Sequence, residues 1–400
     1  MKILFVSDNC SNETYARIER ERTRKLLPAQ QNFYRLLLEG LSETSECDIE
    51  CLSAVPVSAS CHNQKIWEYR EEQIAPNFRY RYIPFVNTRY RRHITQFLSM
   101  YRLVVTWLQQ NNDVESKVIL CDTVVMQCAL AAKIAAKIHR CKVVGVVTDI
   151  AKYTTQILGK PQSFLKRVLT KIYDSLSDFA VKGLDGYVFL TKYMNEEINS
   201  KHKPHIIMEG ISSDTDQEET PDTGGSDYVM YAGGIHEKFG VIKLAKAYAS
   251  LNLKWPLYIY GSGPDVDKIT QMEDQKVQYM GVLNQKDIRA KERGAKLLIN
   301  PRPSDEEFTK FSFPSKTMEY MASGTAVLST PLKGIPEEYE PFIFWFEEET
   351  ESGMAKKIKE VLSLPDKELQ EVGRKAREFV LENKNYIKQG KKVLLFLKKL

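Results

Sequence analysis

Short apolar runs that stop at a polar residue or a glycine constrain this chain most. In the first half they read "KILFVSD", "SKVILCD", "CKVVGVVTD" and "LDGYVFLT". In the second half they read "YVMYAGG", "PLYIYGSG", "KVQYMGVL", "AKLLINPR" and "TAVLST". A continuous run of four or five apolar residues is the pattern of a strand buried on both faces, as in a parallel sheet. Helical periodicity fills the gaps, as in "AQQNFYRLLLEGLSE" and "VVMQCALAAKIAAKIHR". The charged stretch between the first run and Pro28 reads as a loop. Strand alternating with helix predicts an α/β chain whose parallel sheets are covered on both sides.

A single core stops growing at about 250–300 residues, so 400 residues imply two domains. The alternation breaks at "SSDTDQEETPDTGGSD", which begins at Ser212 and holds no apolar residue. Such a segment is a linker. The expected division is a first domain over 1–210, a linker over 211–227 and a second domain over 228–383. Residues 384–400 form a basic amphipathic helix.

Composition excludes several classes. With 43% hydrophobic and 27% charged residues the chain is an ordinary globular one. A net charge of +5 does not call for nucleic acid. The seven cysteines are odd in number, contain no Cys-x-x-Cys and all lie in the first 141 residues. They read as reduced thiols of a cytoplasmic protein. The apolar run of "MKILFVSDN" is too short for a signal peptide. The stretch from Val118 to Ile138 is broken by Asp122 and Lys133, so it reads as strand and helix and not as a membrane span. No metal site or other cofactor is expected, and "DVD" at Asp265–Asp267 reads as a helix start. "YGSGPD" lacks the third glycine of the dinucleotide fingerprint, which argues against a dehydrogenase.

Three strand ends in the second half carry glycine: Gly233 and Gly234, then Gly261 and Gly263, then Gly281 followed by Val282. Glycine lets a backbone turn approach a ligand closely. Lys238 follows the first of these turns, and a cation beside free N–H groups suits phosphate. The sharpest stretch is "FSFPSKTMEYMASGTAVLST", Phe311–Thr330, which follows Arg302. Pro314 fits a first helical turn, where Ser312 and Ser315 are placed to cap or to meet a phosphate. Lys316 and Glu319 are three apart and share a helix face. The helix start favours an anion, and a carboxylate one turn deeper suits a ribose diol. Gly324 sits where a helix stops. The plainer reading of Lys316 and Glu319 is a surface pair worth about 0.2–0.5 kcal/mol.

Together "YAGG", "YGSGP", "NPR" and "SFPSKTMEYMASGTAVLST" resemble the C-terminal half of GT-B glycosyltransferases, in particular glycosyltransferase family 4, over about residues 228–340. The resemblance implies two doubly wound, Rossmann-like domains facing across a cleft, with the last helix crossing back to the first domain. It implies a nucleotide diphosphate sugar in the second domain and a glycan or lipid-linked acceptor in the first. Transfer would retain the anomeric configuration, in surface polysaccharide or glycolipid assembly. By motif position Gly233, Gly234 and Lys238 would flank the diphosphate, and Gly261, Gly281 and Val282 would touch the base. Glu319 would hold the ribose. The backbone of Ser312, Pro314 and Ser315, with Lys316, would meet the phosphates. Lys238, Lys316 and Arg302 would stabilise the departing diphosphate. Asp149, after Thr148, would contact the donor sugar or the acceptor hydroxyl. From their own places in the sequence, Asp8 and Asn9 at the end of the first strand would bind acceptor, and Gln30, Gln31 and Asn32 near a helix start would read sugar hydroxyls, with ordinary capping as the equal alternative. Two positions depart from the family: Phe311 stands eight residues before Glu319, where a glutamate is usual, and Gly234 replaces an arginine. A nucleotide-sugar epimerase and a non-catalytic partner subunit therefore stay open as alternatives.

From Gln73 to Asn112 there is no acidic residue, and arginines alternate with aromatics; "SFLKRVLTKIY", Ser163–Tyr173, is a second basic segment. The favoured partner is an anionic membrane surface, met peripherally on its cytoplasmic side, as a lipid-linked acceptor would need; RNA binding is the other reading. The plainer reading is helices that bury Phe and Leu and expose Arg.

Overall fold

The computed structural model describes residues 1–22, 28–89, 91–150, 153, 164–212, 227–272 and 274–400, with no side chains for 28–29 and 164–169. Most of the expected linker, and the side chains of the first part of the 163–173 segment, lie outside the described residues. The chain forms two compact units, Met1–Ile211 with Tyr386–Leu400, and Ser212–Asn385.

The first unit holds β1 (Lys2–Ser7), β2 (Asp48–Ser53), β3 (Ile66–Trp67), β4 (Arg70–Ala75), β5 (Phe78–Tyr82), β6 (Phe85–Val86), β7 (Lys117–Asp122), β8 (Lys142–Val147), β9 (Gly186–Phe189) and β10 (His205–Ile207). Eight of them make one sheet in the order β10-β9-β8-β7-β1-β2-β5-β4, while β3 pairs with β6. In the large sheet only β4–β5 is antiparallel. Ile3–Val6 and Val118–Cys121 are buried throughout, as befits central strands covered on both faces. The C-terminal helix Tyr386–Lys398 packs on helix Pro28–Glu43. The two cross at Gly40 and Gly390, where a Cβ on Gly390 would stand 2.2 Å from the Gly40 carbonyl carbon.

Two local expectations are corrected. Asn12–Arg20 is a helix and not a loop, opened by Ser11, whose hydroxyl accepts the Thr14 N–H at 3.0 Å. Only Thr14 and Ile18 of it are buried, so its apolar periodicity is too thin to read. Within the basic aromatic stretch, Phe78–Tyr82 is a strand. Phe78, Tyr80 and Tyr82 are buried on one side, while Arg79 and Arg81 pair with Glu50. Helix Arg92–Gln110 does bury Met100, Val104, Trp107 and Leu108.

The second unit holds β11 (Val229–Ala232), β12 (Leu257–Tyr260), β13 (Val277–Tyr279), β14 (Leu297–Asn300), β15 (Val327–Ser329) and β16 (Phe344–Trp345). They form one parallel sheet in the order β13-β12-β11-β14-β15-β16. The strand order reverses between β11 and β14 here, and between β1 and β7 in the first unit. In open parallel sheets ligands bind beyond the carboxyl ends of the strands at such a reversal.

Candidate functional site

At the carboxyl ends of β11, β12 and β13 three turns are joined through their backbones. The Gly233 N–H donates to Tyr260 O at 3.0 Å, Ile235 N–H to Ser262 O at 2.9 Å and Gly261 N–H to Gly281 O at 2.9 Å. The contact leaves no room for side chains. A Cβ on Gly261 would lie 1.8 Å from Gly233 O, and one on Gly263 2.0 Å from Ile235 O. Gly281 has φ +77 and nothing within 4 Å of a built Cβ, so its glycine serves the turn. Val282 beside it is exposed. Asp265, just before helix Val266–Thr270, ties the same turns together by accepting the Glu237 N–H at 2.8 Å.

Helix Ser315–Ser323 is anchored to this shelf by Tyr320. The phenol donates to Ala232 O at 3.0 Å and accepts the Ala232 N–H at 2.8 Å, which fixes the helix against the end of β11. Pro314 is the residue before the helix, Gly324 closes it at φ 82, and no side chain caps its start. The expected serine cap is absent because Ser312 lies in the extended link ahead of Pro314 and Ser315 opens the helix, exposed.

Lys316 Nζ donates to Glu319 Oε2 at 2.6 Å and lies 3.7 Å from Oε1 of Glu292, a side chain only 1% exposed. Burial works against the Lys316 ammonium, but the Glu319 and Glu292 carboxylates outweigh it and keep it protonated above its ordinary range. Lys316 and Arg302 both act on the Tyr231 phenol, which burial pushes up to about 12 while the two cations pull it down. That phenol donates to Gly234 O at 2.8 Å. The Arg302 guanidinium lies over the rings of Phe239 and Phe308, at 5.0 and 5.3 Å. Gly233, Gly234, Arg302, Lys316 and Glu319 are therefore neighbours in one place.

Lys238 is set differently. It lies in a short 3-10 turn, Glu237–Phe239, and its N–H donates to the His236 ring at 3.1 Å. Its side chain lines a shallow depression of about 280 Å³ with Lys243, Lys246 and Asp305, and neither Lys316 nor the Gly233–Gly234 turn borders it. Phe311 is buried, and the Lys310 ammonium lies over its ring at 4.8 Å while pairing with Glu307 at 3.1 Å.

The first unit has its own polar cluster at the β1–β7 reversal. Asp122, at the end of β7, is fully buried. It accepts the Tyr34 hydroxyl at 2.7 Å, the Val124 N–H at 2.9 Å and the Ser7 hydroxyl at 3.0 Å. Burial, then the nearby Asp8 charge, pushes its pKa up to about 7. Burial pushes Asp8 up to about 6, against the hydrogen bond from Gln31 at 3.0 Å and the charge of Arg92. Asn9 and Gln31 are buried inside the network: the Asn9 amide donates to Gln31 O at 2.8 Å and accepts the Tyr80 hydroxyl at 2.8 Å. Asn32 sits aside and accepts from Arg35 at 3.4 Å. Thr148 meets Tyr34 at 3.2 Å, and Asp149 follows it, exposed. A carboxyl that stays protonated near neutral pH can donate a hydrogen bond as well as accept one. Asp122 and Tyr34 are the functional candidates that motif reading missed. The one available signal was that "VILCD" ends like "LFVSD".

Residues 226–364 match the sequence pattern of the family described as Glycosyl transferases group 1. Known structures share the fold over the whole chain. Sucrose-phosphate synthase from Thermosynechococcus elongatus aligns at a TM-score of 0.67 with 12% identity, over 100% of this chain and 98% of that one. Anabaena HepE in complex with UDP aligns at 0.61 with 13% identity, and the lipopolysaccharide outer core galactosyltransferase WaaB at 0.60 with 14%, each over 100% of both chains. The chain thus resembles the GT-B glycosyltransferases in its α/β fold of two Rossmann-like domains, and its second unit carries the group 1 pattern. No curated protein matches it in sequence.

Proposed function

We propose that this protein transfers a sugar from a nucleotide diphosphate sugar to an acceptor hydroxyl, with retention of anomeric configuration. One observation carries the reading: the Tyr320 clamp sets Lys316 and Glu319 against the Gly233–Gly234 turn beside Arg302. The diphosphate would take Lys316, Arg302 and the helix start, and Glu319 would turn from Lys316 to the ribose. Glu292 would keep a carboxylate on the lysine when Glu319 leaves it. Gly261, Gly281 and Val282 would border the base. Lys238 would guard the approach from its neighbouring depression. HepE, which adopts this fold, is described in complex with UDP, which favours a nucleotide diphosphate.

The charge that develops on the leaving diphosphate would be met by fixed side-chain cations and helix N–H groups. The reaction would then need no metal, so excess chelator should leave the rate unchanged. In the first unit, the Asp8–Asp122 cluster would shape the acceptor site, with Asp149 at its exposed rim. WaaB, by name a lipopolysaccharide outer core enzyme, supports an acceptor in surface glycan or glycolipid assembly; the site of transfer would be cytoplasmic.

Calorimetry with UDP, GDP and ADP tests the reading, followed by a product assay with the matching sugar nucleotides. Saturable binding of one nucleotide and transfer to an added acceptor is the expected result. Binding of none of the three would sink it. Phe311, buried where the resembling family has a carboxylate, favours a second reading, a non-catalytic partner subunit. That protein would bind nucleotide weakly or not at all and would depend on another transferase, whereas an epimerase would release free epimer without acceptor.

A further inference from the structure

Helix Phe164–Val181 has an unusual orientation over its described turns. Ser177 and Ala180 are buried and one Asp174 carboxylate oxygen is shut from solvent, yet Ile172 and Phe179 are 52% and 58% exposed and Leu176 is exposed with them. Residues 172, 176 and 179 fall on one stripe of a helix, and a surface helix normally turns such a stripe inward. The inward face has an explanation. It packs on helix Met126–Ile138, whose Ala129, Ala132 and Ala136 are buried, so small residues allow a close approach. Among the described residues, nothing requires the outward stripe to be apolar.

Helix Arg92–Gln110 packs on the same alanine-rich helix, and His93 meets Tyr173 edge-on at 6.5 Å, so the two outer helices are neighbours. Its outward line runs Arg91, Ile94, Leu98, Arg102, with Ile94 62% and Leu98 57% exposed. Phe97 and Tyr101 stack beside it at 6.4 Å. Two acids lie on helix Phe164–Val181: one Asp174 carboxylate oxygen is buried with no hydrogen-bond partner, and Asp178 pairs with Lys182 at 2.7 Å. The Lys133 ammonium lies over the Phe179 ring at 4.3 Å.

We propose that Ile94, Leu98, Ile172, Leu176 and Phe179, rimmed by Arg91 and Arg102, form the face on which this protein rests on an anionic lipid bilayer. Charge complementarity selects the occupant. Aliphatic and aromatic side chains enter the boundary between headgroups and acyl chains while arginines take lipid phosphates. A second copy of the chain is disfavoured, because a two-fold contact would set the same cationic rim against itself. The contact is lateral: no described helix is long and apolar enough to cross a membrane. The proposal is independent of the transfer reaction.

The test is co-sedimentation of the full chain at low salt with vesicles of equal parts phosphatidylglycerol and phosphatidylcholine, and with phosphatidylcholine alone. The protein should pellet with the mixed vesicles and largely stay in solution with the neutral ones. Leu98→Glu or Phe179→Glu should lower the partition by about tenfold. Arg102→Gln should lower it by about fivefold, the equivalent of about 1 kcal/mol per basic residue at an anionic surface. All three sites are exposed, so thermal melts should confirm unchanged folding. Wild type left in the supernatant by anionic vesicles overturns the proposal, and so do glutamate variants that pellet as well as wild type. A dimer in sedimentation velocity that Leu98→Glu dissolves, with no vesicle binding, would assign the face to a second copy and also overturn it.

Discussion

Both units reverse strand order beside a first strand, at β1–β7 and at β11–β14, yet the two reversals are furnished in opposite ways. In the second unit the shelf is backbone, three glycine turns in mutual contact, with Arg302, Lys316 and Glu319 standing around it. In the first unit the shelf is side chains: Asn9, Gln31, Tyr34 and Asp122 are buried, Asp8 is half-buried beside them, and hydrogen bonds through Ser7 join the group. The same topology therefore gives one site of closed backbone turns ringed by cations and their carboxylate partners, and another that stores carboxyl groups close to neutrality.

That contrast is open to direct attack, and Gly261→Ala should have the largest effect. The new Cβ would fall 1.8 Å from Gly233 O at a position with φ +138, so backbone must move. A loss of about 3 kcal/mol or more is expected, or failure to fold. A thermal melt equal to wild type would show that the glycine turns do not support one another.

The carboxyl cluster predicts a pH dependence of comparable size. Asp8 and Asp122 are raised to about 6 and about 7 in the folded chain, so the native state holds more protons than the unfolded one. Stability from this pair is full below about pH 4 and is lost as pH rises to about 7, amounting to a few kcal/mol. Asp122→Asn should flatten that slope in denaturant titrations. An Asn variant with the wild-type slope would place the titration elsewhere.

Glu319→Ala should weaken nucleotide binding by about 1–3 kcal/mol, while Asp8→Asn should leave it untouched. Equal effects of the two in calorimetry would erase the division of labour between units. The smallest effect is expected at Gly281→Ala, about 1–2 kcal/mol of stability from its left-handed backbone alone, since a Cβ there meets nothing within 4 Å.

What the sequence carried by itself was local. Apolar runs such as "ILFV" and "LLIN" became β1 and β14 because a central parallel strand needs apolar side chains on both faces. Gly324 stopped its helix at positive φ, where glycine carries no steric penalty. Lys316 and Glu319 met because three residues make nearly one helical turn. Helix Asn12–Arg20 and strand Phe78–Tyr82 were hidden because their burial depends on neighbours far along the chain. Glu292 beneath Lys316, the Tyr320 clamp on Ala232, and Asp122 between Ser7 and Tyr34 could be decided only by tertiary structure. Each joins residues between 24 and 115 positions apart in sequence, and local periodicity holds no information across such distances.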